Sequence, residues 1–170
     1  EHGMEAFWSM RMNDTHDSGD EALLCQWKKK HPEYLMGKKA DKFPHGGGRW
    51  SAVNYALPEV REKVFRILAD VCRRYAVDGV ELDFYRHPVY FRPQMTGEPV
   101  TREQCEMMTD LIRRVRGMTE GEGLKRGRPL LISVRVPDSA GFCKAIGLDI
   151  ERWLEEGLID ILVGGGYFHL

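Results

Sequence analysis

The segment Val77-Asp78-Gly79-Val80-Glu81-Leu82-Asp83-Phe84-Tyr85-Arg86-His87-Pro88 constrains the fold more than any other part of the chain. Its Asp78-Gly79 step predicts a tight turn after a helix ending near Ala76. A short strand follows. Side chains alternate along a strand, so Val80, Leu82 and Phe84 share one face while Glu81 and Asp83 share the other. A strand that is apolar on one side and carries two carboxylates on the other fits a parallel barrel, with helices outside and a reaction site within. It then breaks into an aromatic, basic loop at the end where such barrels place their chemistry.

The flanking sequence supplies more units of the same kind. Met4 to Asn13 alternates, with Ala6, Trp8, Met10 and Met12 on one face and Phe7, Ser9, Arg11 and Asn13 on the other, and reads as a strand. About forty weakly periodic residues follow, including an expected short helix near Asp20–Lys29. Val53-Asn54-Tyr55 reads as a brief extended piece. Pro58 opens a helix whose apolar stripe is Val60, Val64, Ile67, Leu68, Val71, Cys72 and Tyr75. Thr101-x-x-Gln104 is a capping box for a second helix with Cys105, Met108, Leu111, Ile112 and Val115 on its stripe. Leu130 to Pro137 and Ile159 to Val163 are further strands, separated by a short helix that Asp149 can N-cap.

This alternation predicts an α/β chain with a parallel sheet. A complete (β/α)8 barrel needs about 250 residues, and this chain has 170. The expectation is therefore a partial (β/α)8 TIM barrel: residues 1–170 as a single domain, the central portion of a barrel with about four parallel strands and a long substrate-side loop at 14–52. The remainder of the barrel is expected outside this chain, leaving the first and last strands as exposed edges. A doubly wound sheet competes, but Gly46-Gly47-Gly48 does not follow a strand directly and no Gly-x-Gly-x-x-Gly turn is present.

A net charge of −1 without a basic stripe argues against a nucleic-acid partner. No apolar run approaches the roughly 20 residues of a membrane span. Cys25, Cys72, Cys105 and Cys143 are widely spaced, with no Cys-x-x-Cys pair, which fits free thiols better than zinc ligands. Glu1-His2-Gly3 carries no initiator Met and no signal pattern, so the compartment is left open, secretion or periplasm included.

The block Val53 to Glu62, followed by Arg74 to Pro88, resembles the glycosyl-hydrolase-like family 10 of bacterial (α/β)8 barrels, as do Phe7-Trp8-Ser9 and His31-Pro32-Glu33-Tyr34. Tyr55 stands where that family usually has Pro, and Phe84 where a second Asp often follows Asp83. The resemblance covers most of residues 4 to 90. It implies carbohydrate chemistry without fixing a reaction.

The catalytic candidates are Asp83, at the carboxyl end of its strand, with Glu81 and Asp138. Glu81 lies deeper and has a structural alternative, a barrel carboxylate neutralised by Arg11 and Arg135. The substrate-binding candidates are Arg11, Asn13, Asp14, His16, Asn54, Tyr85, Arg86, His87, Arg135 and Tyr167. Trp27, Trp50 and Tyr90 are further stacking candidates, whereas Trp8 and Trp153 fit the core and Lys28-Lys29-Lys30 a solvated face. These groups predict hydrolysis of a poly- or oligosaccharide by carboxylates, without cofactor or metal. Two alternatives are a non-catalytic carbohydrate-binding barrel and a metal-dependent enzyme using Asp14, His16 and Asp17. Metal ligands in barrels converge from several strands, which weighs against the last.

Overall fold

The computed structural model describes residues 3–45 and 48–166. Four strands, β1 (Phe7–Arg11), β2 (Gly79–Asp83), β3 (Leu131–Pro137) and β4 (Ile161–Gly165), form one sheet in the order β1-β2-β3-β4. All neighbours are parallel. The spatial order follows the chain order without a reversal. Successive βα units of a barrel do this, and a doubly wound sheet with its switch point does not. The chain is α/β, with the architecture of a partial (β/α)8 barrel.

Apolar periodicity decides which face the helices cover. Helix α2 (Pro58–Arg74) and helix α3 (Arg102–Arg126) pack on each other. Val60, Val64 and Leu68 of α2 join Met108, Leu111 and Ile112 of α3, with Val80, Leu82, Phe84, Ile132, Val134 and Val136 of the sheet, in one buried cluster. The capping box forms in both directions: Thr101 Oγ1 accepts from the Gln104 amide at 3.2 Å and Gln104 Oε1 from the Thr101 amide at 3.0 Å. Trp153, on the short helix α5 (Ile150–Glu155), fills the core and donates Nε1–H to Thr109 Oγ1 at 3.0 Å.

Several local expectations change. The helix expected near Asp20–Lys29 splits into a 3-10 turn at Glu21–Leu23 and α1 (Gln26–Lys30). A short helix α4 (Ala140–Ala145), N-capped by Ser139 Oγ, follows β3 and lacked a sequence signal because only two turns form. Tyr75 caps α2 in extended conformation and is 60% exposed instead of lying on the stripe. Asp149 occupies the N-cap of α5, yet its side chain faces Lys144 at 3.5 Å and makes no cap bond. Asp78-Gly79 is no tight turn: the Asp78 main chain pairs with Ala6 and Leu131, and Gly79 already belongs to β2. Cys72, Cys105 and Cys143 are buried free thiols, and Cys25 is exposed.

Residues between β1 and α2 fold on themselves. Leu24, Leu35, Met36, Trp50 and Tyr55 are buried there, and Leu35 pairs with Val53 in an isolated antiparallel bridge. Among the described residues β1 and β4 each have a single strand neighbour, so the sheet is open at both sides.

Candidate active site at the carboxyl ends of β1 and β2

The inner face of the sheet is built in two rows. Ser9, Glu81 and Ser133 are register partners across β1, β2 and β3, and so are Arg11, Asp83 and Arg135 one pleat nearer the carboxyl end. Both rows are polar because helices cover only the opposite face. A strand's period of two residues then sends every second side chain inward.

Glu81 occupies the deeper row and is fully engaged. Its Oε1 accepts from Ser9 Oγ at 2.8 Å, and its Oε2 accepts from Arg135 Nη2 at 3.0 Å. Half of the expected neutralisation is therefore present. Arg11 turns instead to Asp14, 2.8 Å away on the exit of its own strand.

Asp83 ends β2 with 9% of its surface exposed. Its Oδ1 accepts from the Tyr85 amide at 2.9 Å, which fixes the carboxylate at the strand exit. Oδ2 has no hydrogen-bond partner among the described residues. The Asp83 main-chain carbonyl accepts from the Met12 amide at 2.9 Å, so the first loop starts against this residue.

The loops after β1 and β2 meet here. Asn13, 4% exposed, donates Nδ2 to the carbonyls of Val53 and Val89 and accepts from the Val53 amide through Oδ1. The structure thus gives Asn13 a clamping role in place of substrate contact, since backbone consumes its whole amide group. Asn54 likewise accepts from the Ala56 amide at 3.2 Å and is buried.

Asp14, His16 and His87 come together across the same gap. One ligand-capable atom from each lies within 4.8 Å of the others. His16 Nδ1 is 2.5 Å from Asp14 Oδ1, and the rings of His16 and His87 meet edge to face at 5.0 Å. Burial works to raise the Asp14 pKa. Hydrogen bonds from the His16 amide, the Arg11 guanidinium and the His16 ring prevail and hold it well below the usual carboxylate range. Burial pulls the His87 pKa down, partly offset by the Asp14 charge.

Other candidates fall elsewhere. Asp138 is exposed just after β3, and a Cβ at Gly166 would lie 3.0 Å from its Oδ2, which puts it beside the end of β4. No hydrogen bond joins it to Asp83 or Glu81 among the described residues. Tyr85 lies across from β4, where a Cβ at Gly165 would come within 3.2 Å of its ring. Arg86 is exposed in the loop after β2. Tyr167 lies outside the described residues.

Trp50 and Tyr90 are core residues rather than stacking platforms. Trp50 donates to the Ser18 carbonyl at 3.1 Å, and the Tyr90 hydroxyl donates to the Phe84 carbonyl. Trp27 packs against His31 and Tyr34. Lys28 leaves the solvated face to pair with Asp17 at 2.6 Å, and Asp17 also accepts from Ser51 at 2.6 Å. The participation of His87 in the Asp14 cluster was invisible in sequence, since it depends on two loops more than seventy residues apart.

The chain matches the family described as glycosyl hydrolase-like 10 over residues 5–109. No curated protein matches it. Among solved structures it is similar to the galactosidase domain of an alpha-galactosidase-sucrose kinase, AgaSK, with a TM-score of 0.44 and 16% identity over 78% of this chain. The chain spans 16% of that protein's length. The family match takes in β1, β2, both of their exit loops and the start of α3, and therefore Asp83 and every residue of the cluster beside it. The chain belongs to the glycosyl hydrolase-like 10 family.

Proposed function

We propose that this chain contributes the Asp83 half of a glycoside-hydrolase site acting on a poly- or oligosaccharide. The observation that carries the reading is the place of Asp83. It is a nearly buried carboxylate at the carboxyl end of a parallel strand, flanked in register by Arg11 and Arg135, with one oxygen uncommitted. That is the end of a βα sheet from which barrel enzymes work. A carboxylate at this position suits a nucleophile, a base or a stabiliser of an oxocarbenium-like transition state.

Glu81 serves in this reading as the charge that holds Arg135 in place. The second carboxyl group that glycoside hydrolysis requires is either Asp138, swung over from the exit of β3, or a group from the rest of the barrel. Arg11, Tyr85 and Arg86 line the approach and bond sugar hydroxyls. The domain is the central part of a barrel, with residues 14–52 on the substrate side.

The test is a glycan panel assayed with the full-length protein and its Asp83→Asn variant. Turnover lost on substitution supports the reading. Binding without turnover in the wild type supports a carbohydrate-binding barrel instead, and turnover indifferent to the substitution removes Asp83 from the chemistry.

A further inference from the structure

The loop after β1 carries Asp14 and His16, and the loop after β2 carries His87. We propose that these three side chains form a binding site for one divalent first-row transition-metal ion, at the carboxyl ends of β1 and β2. The donor set is one carboxylate oxygen and two imidazole nitrogens, which suits Zn²⁺, Fe²⁺, Co²⁺ or Ni²⁺. Mg²⁺ and Ca²⁺ call for oxygen ligands throughout.

Three observations support the assignment. The donor atoms are gathered within 4.8 Å of one another. Ligands about 2.0–2.1 Å from a tetrahedral ion stand about 3.3 Å apart, so small side-chain rotations complete the site. Next, His87 Nδ1 is the one buried side-chain nitrogen or oxygen among the described residues without a hydrogen-bond partner. Such a group is costly to leave unpaired, and coordination of an ion through Nδ1 would relieve it. Finally, the loops are held together before any ion arrives: Asn13 bonds the Val89 carbonyl at 2.6 Å and Met12 bonds the Asp83 carbonyl at 2.9 Å. A preformed site spends little ordering entropy on binding.

The ligand set differs from the Asp14, His16 and Asp17 combination that proximity in sequence suggests. Asp17 is taken by Lys28 and Ser51, and His87 supplies the third donor from a second strand. Arg11 accompanies Asp14 Oδ2, leaving Oδ1 on the side of the histidine. His16 is exposed, so the open positions of the ion face solvent and take water or a substrate hydroxyl. The site stands independently of the hydrolase reading, because its test reads metal and not turnover.

The experiment is calorimetric titration of the chelator-treated full-length protein with ZnCl₂, repeated with CoCl₂ while recording visible absorption. The expected result is about one equivalent of Zn²⁺ bound per chain, competing with Co²⁺ whose absorption bands appear on binding. Loss of partners that merely orient a ligand costs about 10–100-fold in affinity, so His16→Ala and His87→Ala should each cost at least about 100-fold. His31→Gln, at the exposed pair with Glu33, leaves binding intact and controls for the loss of a histidine. Because His16 is exposed, its variant keeps the test decisive even if His87→Ala fails to fold. The proposal is overturned by wild-type binding well below one equivalent, or by stoichiometric binding that survives His16→Ala.

Discussion

Asn13 reaches from the exit of β1 to the carbonyl of Val89, 2.6 Å away, and so joins the two loops that frame Asp83. With its two bonds to Val53 it holds three backbone groups of a site that is 4% exposed at this residue. Asn13→Ala leaves those groups unpaired in a buried place, and each such loss costs about 1–3 kcal/mol without full additivity. A drop of about 3 kcal/mol in urea unfolding is expected. A loss below about 1 kcal/mol would mean that water replaces the amide.

Gly79 begins β2 where a side chain has no room. A Cβ there would sit 2.3 Å from the Phe7 ring and 2.7 Å from the Leu131 carbonyl oxygen. The Phe7 ring can turn but the β3 backbone cannot, so Gly79→Ala should destabilise the chain by about 1–3 kcal/mol, an overpacking cost. Thermal melts of the variant check this, and an unchanged melting point would show that the sheet edge yields freely.

The outer surface carries an ion cluster that predicts an acid limit. Arg113 bonds Glu156, Glu106 and Asp110, while Arg152 bonds Glu156 and Glu106. Hydrogen bonds from Arg113 and then Arg152 lower the Glu156 pKa from 4.5 to about 2, and lower that of Glu106 in the same way. A carboxylate with a depressed folded-state pKa adds stability above its unfolded value and loses it as the pH falls. Docking of α5 on α3 should therefore weaken from about pH 4.5 down to about 2. Glu156→Gln should flatten the melting temperature over that interval, and high salt should shrink the effect because the cluster is solvent-facing.

Sequence periodicity located the sheet and its polar face because burial on one side forces a period of two. Ser9, Glu81, Ser133, Arg11, Asp83 and Arg135 face inward as their alternation requires. The long helices were equally readable from their stripes and the Thr101 box. What stayed hidden depended on contacts distant in the chain. Gly79 is glycine for a ring and a carbonyl on neighbouring strands, not for a turn. Asn13 and Trp50 looked like polar and aromatic surface, yet tertiary contacts consume both. His87 meets Asp14 only because β1 and β2 are neighbours.

The proposed function gives Glu81 and Asp83 unequal roles, and kcat/KM of the full-length protein on its best glycan separates them. Asp83→Asn should lower that value by about 10²–10⁴, the usual range for a group acting on the reacting atoms. Glu81→Gln, which only loosens the hold on Arg135 at 3.0 Å, should lower it by about tenfold or less. Equal losses from the two substitutions, or a larger loss from Glu81→Gln, would show that Asp83 does not act on the reacting atoms ahead of Glu81.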